Sequence, residues 1–238
     1  MNLTVWMYWE GKVPEWVQAC QRTVSVHVDD VQLLNPGDFD RLWNSDRDIE
    51  LTRLYVAHRA DYIRAFLLAK YGGLWIDSDC IVLKNLQPLL NSLERYDFIG
   101  YKNLEGLVAN NFMGARPTSK IATTYYRRVC HILRSHQPRS WLTLGSHALS
   151  DVIQRLAVPW LCLETELIQP VNWSNPGDFF IRRGPKGHER ILNRRAYCYM
   201  ISRHMVQGWQ KNHPNSNLMA DETFFTFLLR KALRNSKE

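Results

Sequence analysis

The tripeptide Asp77-Ser78-Asp79 is the part of the sequence whose residue types are best suited to chemistry. It interrupts an apolar run from Leu74 to Leu83, so two carboxylates stand where a buried strand is expected to end. Two such charges repel each other, and each loses hydration when it is buried. They are therefore unfavourable there unless a cation lies near them. Mg²⁺ and Mn²⁺ bind oxygen ligands of this kind together with phosphate oxygens. A solvated turn that carries two acids is the simpler alternative.

Asp61 and Arg64 add a third carboxylate and a cation shortly before this tripeptide. They are three residues apart in a segment with helical periodicity, so they project from the same side of that helix. Arg64 is suited to neutralise the acids, although an exposed ion pair worth roughly 0.2–0.5 kcal/mol would give the same pattern. Gly72 and Gly73 are expected to end the helix and let the next strand begin close to it.

The elements that must position these residues alternate between strands and helices, which predicts an α/β sheet. A loop with Pro14 leads from the first strand into the first helix, because proline suits the start of a helix. The predicted strands are 3–9, 31–34, 74–83 and 97–101. One helix is predicted to begin at Pro14, and three more are predicted over 52–71, 122–135 and 224–233.

The composition is that of a globular protein with a surplus of positive charge. The chain has 238 residues, of which 45% are hydrophobic and 22% are charged, and its formal net charge is +7. These values exclude a disordered or collagen-like chain. No repeat or linker is visible, which favours one domain over residues 1–238. The charge calls for an anionic partner: nucleic acid, a phosphorylated small molecule or an acidic membrane.

The sequence predicts a cytoplasmic protein with reduced thiols. Its N-terminal segment lacks the features of a signal peptide, and no run approaches about 18 apolar residues. Five widely spaced cysteines without a CxxC pair argue against a zinc site or a disulfide framework. They are Cys20, Cys80, Cys130, Cys162 and Cys198.

The motifs from Asp61 to Asp79 resemble the DXD-containing sugar-transferase family. That family groups bacterial capsular and lipopolysaccharide glycosyltransferases with fungal mannosyltransferases, and glucosylating toxins are more distant relatives. Its pattern is small-x-D-x-x-R, a helix, G-G, and a strand with aromatic-x-D-x-D. The chain keeps each step and its spacing in ADYIR (60–64), YGG (71–73) and WIDSD (75–79).

Weaker similarities to the family extend from Trp9 to Trp209. They are WEGKVP (9–14), NNFMGARP (110–117), GSHAL (145–149), and MISRH (200–204) followed by Gly208 and Trp209. Ser146 stands where the family often has proline. The segment 200–204 resembles the closing strand of the family.

The resemblance implies a GT-A type fold with a mostly parallel central sheet flanked by helices. It implies a nucleotide- and metal-binding half at 1–105, and an acceptor side with a C-terminal helix at 106–238. The implied activity is metal-dependent transfer, with retention, from a nucleotide sugar such as a UDP-sugar. The implied acceptor is a saccharide or a polyprenyl-diphosphate-linked saccharide in bacterial surface polysaccharide synthesis.

The resemblance also assigns roles to single residues. Asp77, Asp79 and Arg64 are the predicted catalytic residues, and Mn²⁺ or Mg²⁺ is the predicted cofactor. Asp79 is the first choice as metal ligand, and Asp77 and His204 are the other candidate ligands. Asp77 also suits ribose or sugar hydroxyls. The predicted substrate-binding residues are Trp9, Tyr8 and Trp6 for the nucleobase, together with Asp61, Arg64, Asp77, Ser78, Asn110, Asn111, Gly145, Ser146 and Trp209.

Two other functions and one surface property stay open. A phosphatase of the haloacid-dehalogenase kind would use Asp77 and Asp79 as its D-x-D pair. A nucleic-acid-binding protein would explain the charge, but no recognition motif supports it and no nucleic-acid partner is expected. The basic clusters at 116–139 and 182–195 suit an anionic membrane surface at the inner face of the membrane or plain solvation.

Overall fold

The computed structural model describes residues 3–44, 46, 48–135, 139–213 and 217–234. Its elements follow the alternation that the sequence predicts. In chain order they are β1 (Val5–Tyr8), α1 (Glu15–His27), β2 (Val31–Leu34), α2 (Pro36–Leu42), α3 (Val56–Tyr71), β3 (Gly73–Ile76), β4 (Cys80–Val82), α4 (Gln87–Ser92), β5 (Phe98–Tyr101), β6 (Phe112–Ala115), α5 (Lys120–Arg134), α6 (Ala148–Arg155), β7 (Leu161–Leu163), α7 (Thr165–Ile168), α8 (Gly184–Ile191), β8 (Cys198–Met200), α9 (Arg203–Asn212) and α10 (Phe224–Arg234).

The chain forms two compact units, and each unit is assembled from separate segments of the sequence. Unit 1 contains residues 1–11, 30–76 and 87–163, and unit 2 contains residues 12–29, 77–86 and 164–238. The boundary predicted at residue 105 falls inside unit 1. The prediction of one domain with a nucleotide half and an acceptor half stays a prediction.

Unit 1 is built on a six-stranded sheet with the order β2-β1-β3-β6-β5-β7. Strand β6 is antiparallel to both of its neighbours, and the other pairings in this sheet are parallel. The α/β class with a mostly parallel sheet is therefore confirmed. Helices α3 and α5 pack against each other, and their apolar side chains belong to the main core of this unit.

Helix α3 is buried around much of its circumference. Every residue from Asp61 to Leu68 is buried, which is the environment of a helix inside a core. The predicted helix 52–71 starts later than expected, at Val56, because residues 51–53 form a separate 3₁₀ turn. Tyr55 is extended and precedes the first helical residue.

The strand predicted at 74–83, with two carboxylates interrupting it, forms two separate strands. Strand β3 belongs to the sheet of unit 1, whereas β4 pairs antiparallel with β8 in unit 2. The residues between β3 and β4 are Asp77-Ser78-Asp79, and Ser78 and Asp79 form a turn. The two carboxylates therefore follow the end of β3, as the sequence predicts, but the apolar residues after them pair in a different sheet.

Gly73 is required at the start of β3 by both its backbone angle and its surroundings. Its φ is +98°, in the region that favours glycine, and a Cβ there would lie 2.2 Å from the backbone oxygen of Thr4. Gly72 ends α3 with φ +69°. The glycine pair thus allows the abrupt change from helix to strand that the sequence predicts.

Unit 2 packs helices against the short β4–β8 pair. Trp16 of α1 meets Phe225 of α10 edge to face, with ring centroids 6.3 Å apart. Thr23 Oγ1 accepts a hydrogen bond from the backbone N–H of Val82, which fixes α1 on β4. Phe224, Phe225, Leu228 and Leu229 are buried, so α10 uses its apolar side chains in packing.

Two further expectations concern the membrane and the thiols. No helix within the described ranges is both long and apolar enough to cross a membrane. All five cysteines are free thiols, and Cys162 alone among them is exposed.

Candidate functional site

A buried polar cluster in unit 1 joins three of the predicted site residues. The carboxylate of Asp61 accepts a hydrogen bond from Asn110 Nδ2 at 2.7 Å, and Arg64 Nε lies 3.7 Å from the same carboxylate oxygen. Arg64 Nη1 donates to the backbone oxygen of Asn110 at 2.6 Å, and Arg64 Nε donates to the backbone oxygen of Ala60. Asp61 and Arg64 are each only 6% exposed. The alternative of an exposed surface ion pair is therefore wrong.

A wide helical turn at Thr143–His147 adds two more predicted residues to this cluster. Ser146 Oγ is 3.5 Å from Asn110 Oδ1, and Ser146 is buried. A Cβ on Gly145 would lie 2.5 Å from Asn110 Nδ2, so the absence of a side chain at position 145 makes room for the asparagine. Motifs that the sequence places far apart thus meet around one amide.

The guanidinium of Arg64 also contacts an aromatic ring. Its Cζ atom lies 4.9 Å from the ring centroid of Trp75, a distance within the range of a cation–π interaction. Since the pair is buried, this contact and the two carbonyl bonds hold the cation in one position. The cluster is preorganised, and a preorganised carboxylate and amide suit the hydroxyl groups of a bound sugar.

Asn111 has a different partner from Asn110. Its Oδ1 accepts a hydrogen bond from the hydroxyl of Tyr101 at 2.8 Å. The structure therefore places the two neighbouring asparagines in separate contacts of unit 1, and only Asn110 joins the cluster around Asp61.

The three aromatic residues predicted to stack on a nucleobase have different environments. Trp6 is buried and donates its indole N–H to the backbone oxygen of Gly72 at 2.8 Å, so it supports the sheet. Tyr8 is also buried, and its hydroxyl donates to Glu10. Burial and the neighbouring Glu10 raise the pKa of Tyr8 well above its ordinary value. Trp9 is half-buried, which leaves it as the strongest stacking candidate of the three.

Arg59 and Glu10 form an ion pair that the sequence analysis missed. Arg59 Nη1 lies 2.6 Å from Glu10 Oε2, and the guanidinium also donates to the backbone oxygens of Leu51, Thr52 and Leu54. The sequence carried no signal for this pair, because the helix predicted at 52–71 places Arg59 beyond its first turn. In the structure α3 begins at Val56, so Arg59 lies in the first turn, where a cation is unfavourable beside the positive end of the helix dipole unless an acid pairs with it.

The Asp77-Ser78-Asp79 turn lies in unit 2 and is anchored to the start of α9. Asp79 Oδ2 accepts the backbone N–H of Arg203 at 2.8 Å, and Asp79 O accepts the backbone N–H of Ile201 at 3.0 Å. A carboxylate is favoured there by the positive end of the α9 dipole. Asp77 and Asp79 are half-buried, whereas Ser78 is buried.

His204 lies next to this anchor, but not in the predicted strand. The closing strand β8 ends at Met200, and His204 is an exposed residue in the first turn of α9. Across the described part of the chain, no group of three or more His, Cys, Asp or Glu side chains is placed to hold a metal ion. The structure therefore does not gather Asp77, Asp79 and His204 into one ligand group.

Trp209 stacks with two rings of unit 2. Its ring centroid is 4.1 Å from that of Phe180 and 4.9 Å from that of His213, and both pairs are close to parallel. The role of Trp209 in substrate binding stays a prediction.

The basic clusters are extensively paired with acidic side chains. In unit 1, Arg116 pairs with Asp97, and Arg134 pairs with Asp46 and Asp48. The second cluster, in unit 2, has the same character: Arg182 pairs with Asp221, Arg194 with Glu189 and Arg195 with Glu164. Part of the positive charge is thus balanced locally.

The segment with the D-x-D tripeptide matches a known family. Residues 9–98 match the family described as the glycosyltransferase sugar-binding region containing DXD motif. The matched segment is a little over a third of the chain, and it contains the motifs on which the predicted resemblance rests.

Curated proteins that are similar to the chain include one from mouse and one from yeast. Lactosylceramide 4-alpha-galactosyltransferase of Mus musculus is 25% identical over 178 residues, which cover 68% of this chain and 43% of the mouse protein. Mannosyl phosphorylinositol ceramide synthase CSH1 of Saccharomyces cerevisiae is 28% identical over 140 residues, which cover 56% of this chain and 35% of the yeast protein. The chain thus spans less than half the length of each.

One structural neighbour is the glycosyltransferase GlyE of Streptococcus pneumoniae TIGR4. The two structures share a TM-score of 0.51 at 13% sequence identity, and the match covers 99% of this chain and 64% of the GlyE chain. This similarity shows the fold, which is the GT-A type that the resemblance implies.

Proposed function

We propose that the protein is a metal-dependent glycosyltransferase that moves a sugar from a nucleotide sugar, a UDP-sugar, to a saccharide or lipid-linked saccharide. The observation that carries this proposal is the position of Asp77 and Asp79. They directly follow the buried strand β3, within a segment that matches a DXD glycosyltransferase family. The family match and the fold favour this function over a phosphatase or a nucleic-acid-binding protein.

The donor-binding roles follow from the chemistry of the two groups of residues. In unit 1, the Asp61 carboxylate, fixed by Asn110 and Arg64, accepts hydrogen bonds from hydroxyls of the donor sugar. Trp9 offers an indole face to the nucleobase. In unit 2, Asp77 and Asp79 would hold a cation that neutralises charge on the diphosphate. These assignments support transfer of a sugar rather than hydrolysis of a simple phosphate.

The acidic residues of the D-x-D turn fit Mg²⁺ or Mn²⁺ by their chemistry. Carboxylate oxygens are the ligands that these hard cations prefer, and neither Asp77 nor Asp79 is fully buried. Asp79 Oδ2 accepts the backbone N–H of Arg203, which holds this carboxylate in place. A bound cation would stabilise the negative charge that develops on the departing diphosphate. His204, which the structure does not place in one ligand group with Asp77 and Asp79, is proposed to contact the diphosphate.

We propose that transfer proceeds with retention. The bond between the anomeric carbon and the diphosphate oxygen breaks, and the acceptor oxygen forms its bond to the same face of that carbon. The leaving diphosphate takes the proton from the acceptor hydroxyl, so the reaction needs no separate carboxylate base. The names of the two curated relatives refer to ceramide-containing lipids, which supports a lipid-linked saccharide as acceptor. A place in bacterial surface polysaccharide synthesis has no support from these two relatives.

A panel of nucleotide sugars tests the proposal. Purified protein is incubated with UDP-, GDP- and CDP-sugars in the presence of Mn²⁺, Mg²⁺ or a chelator. Release of nucleoside diphosphate and calorimetric binding are both measured. We expect one class of donor, led by UDP-sugars, to bind and to be hydrolysed slowly, and we expect the chelator to suppress both.

The result that would contradict the proposal is equally direct. If no nucleotide sugar binds with or without metal while p-nitrophenyl phosphate is hydrolysed, the phosphatase alternative replaces it.

A further inference from the structure

Two exposed aromatic side chains lie side by side in unit 1, outside the residues assigned above. Tyr55 is 64% exposed and Trp141 is 61% exposed. Their ring centroids are 5.9 Å apart, with an angle of 63° between the ring planes. Neither residue belongs to the main core. Adjacent exposed rings of this size mark interaction sites more often than isolated exposed apolar residues do.

The aromatic pair is held in a polar frame. The His58 ring lies 6.4 Å from the Tyr55 ring, and its Nε2 is 3.1 Å from the backbone oxygen of Ser140. The backbone N–H of Ser140 donates to Thr143 Oγ1 at 2.8 Å. These contacts connect the start of α3 to the segment that carries Trp141, so the two rings are held close together.

The same two segments carry the cluster around Asp61. Asp61 follows Tyr55 by six residues, a rise of about 9 Å along a helix, and His58 and Asp61 are three residues apart and therefore neighbours on one face of α3. On the other segment, Trp141 precedes Ser146 by five residues. The aromatic pair is thus carried by the same two segments as the proposed donor-sugar contacts.

We propose that Tyr55 and Trp141 form the saccharide subsite that holds the acceptor, an inference that rests on the proposed function. A pyranose ring has an apolar face of C–H groups, which packs on an aromatic ring, and an edge of hydroxyls. His58 and Ser140 border the rings with polar groups suited to that edge. A lipid chain needs a longer continuous apolar surface than two rings provide. The pair therefore fits a sugar better than a tail.

An array of immobilised saccharides with common hexose, pentose and N-acetylhexosamine ends tests this subsite. Wild-type protein is compared with Trp141→Ala, Tyr55→Ala and Trp141→Phe, and with Leu104→Ala as the control. Leu104 is also in unit 1 and is 65% exposed. We expect the two alanine variants at the aromatic pair to weaken saccharide binding by about 10-fold, the effect of losing one stacked ring. Trp141→Phe and Leu104→Ala are expected to bind nearly as wild type does.

The outcomes separate this subsite from the function on which it rests. Wild-type protein that binds no saccharide, or alanine variants that bind as wild type does, would overturn the subsite. So would variants that lose binding to phosphatidylserine vesicles but not to saccharides, because the rings would then contact lipid. Donor hydrolysis by wild-type protein is measured separately, and its absence would contradict the transferase activity whatever the array shows. Because both rings are exposed, all variants are expected to melt within about 2 °C of wild type.

Discussion

Asn110 donates its side-chain amide to the carboxylate of Asp61 across 2.7 Å, although 49 residues separate the two in the chain. The contact ties helix α3 to the segment before β6, and Gly145 leaves room for it. A family-like asparagine, a family-like aspartate and a family-like glycine are therefore parts of one arrangement. This arrangement gives a physical reason for residues that the sequence shows only as separate motifs.

The crowding between Asn110 and Gly145 predicts a specific coupling. Asn110→Ala removes a donor from the buried Asp61 carboxylate and is expected to cost about 1–3 kcal/mol of unfolding free energy. Gly145→Ala places a Cβ 2.5 Å from Asn110 Nδ2 and displaces the amide. In the double variant this clash is absent, so its cost is expected to be smaller than the sum of the two single costs by about 0.5–3 kcal/mol. Urea unfolding of the four proteins measures the difference, and strict additivity would contradict the contact.

Gly73 and Gly106 allow backbone strain and steric crowding to be separated. Both have positive φ angles, +98° and +80°, but a Cβ at Gly73 would lie 2.2 Å from Thr4 O whereas nothing lies within 4 Å at Gly106. Gly106→Ala is expected to cost about 1–2 kcal/mol through backbone strain alone. Gly73→Ala is expected to cost about 1–3 kcal/mol more, because β3 must move away from β1. Equal unfolding temperatures of the two variants would show that Gly73 does not lie close to the backbone oxygen of Thr4.

Asp97 predicts a pH dependence of stability. Burial alone would raise its pKa. The backbone N–H of Ile121, the Ser119 hydroxyl, the backbone N–H of Lys120 and the Arg116 guanidinium outweigh this and lower the pKa of Asp97 below its ordinary value of 3.8. The charged carboxylate therefore stabilises the folded state above about pH 4, and this contribution is lost as the pH falls through the lowered pKa.

Asp97→Asn is the variant that tests this dependence. It is expected to be less stable than wild type by about 1–3 kcal/mol at pH 7, and the difference is expected to shrink as the pH drops below about 4. Urea unfolding at several pH values measures it, with the exposed Asp40→Asn as the matched control. A difference that stays constant down to pH 2 would show that the charge of Asp97 does not matter.

The sequence predicted much of the fold because its signals are local. The strand at 31–34 has the expected bounds, and Gly72 and Gly73 end α3 as expected. The interrupted strand at 74–83 was not recognised as two strands of different sheets, because an apolar run does not show which residues pair with it. Only the pairing of β4 with β8 shows that the D-x-D tripeptide separates two strands.

The polar contacts of the candidate site were less predictable. Spacing placed Asp61 and Arg64 on one side of a helix, but their burial depends on the core that surrounds α3. His204 was assigned to a strand because the family resemblance suggested one, whereas it lies in the first turn of α9. The Tyr55–Trp141 pair involves residues 86 positions apart in the sequence. No local pattern brings them together.

The rate of sugar transfer by the Asp79→Asn variant is the measurement that tests the central claim most directly. The amide oxygen of asparagine can still accept the backbone N–H of Arg203, so the fold is expected to persist and the melting temperature to change little. The lost negative charge weakens binding of the cation that would neutralise the departing diphosphate. We therefore expect nucleotide-sugar turnover to fall by about 100-fold or more. Asp29→Asn, at an exposed site of the same unit, is the control and is expected to retain activity. Full turnover by Asp79→Asn would contradict the account.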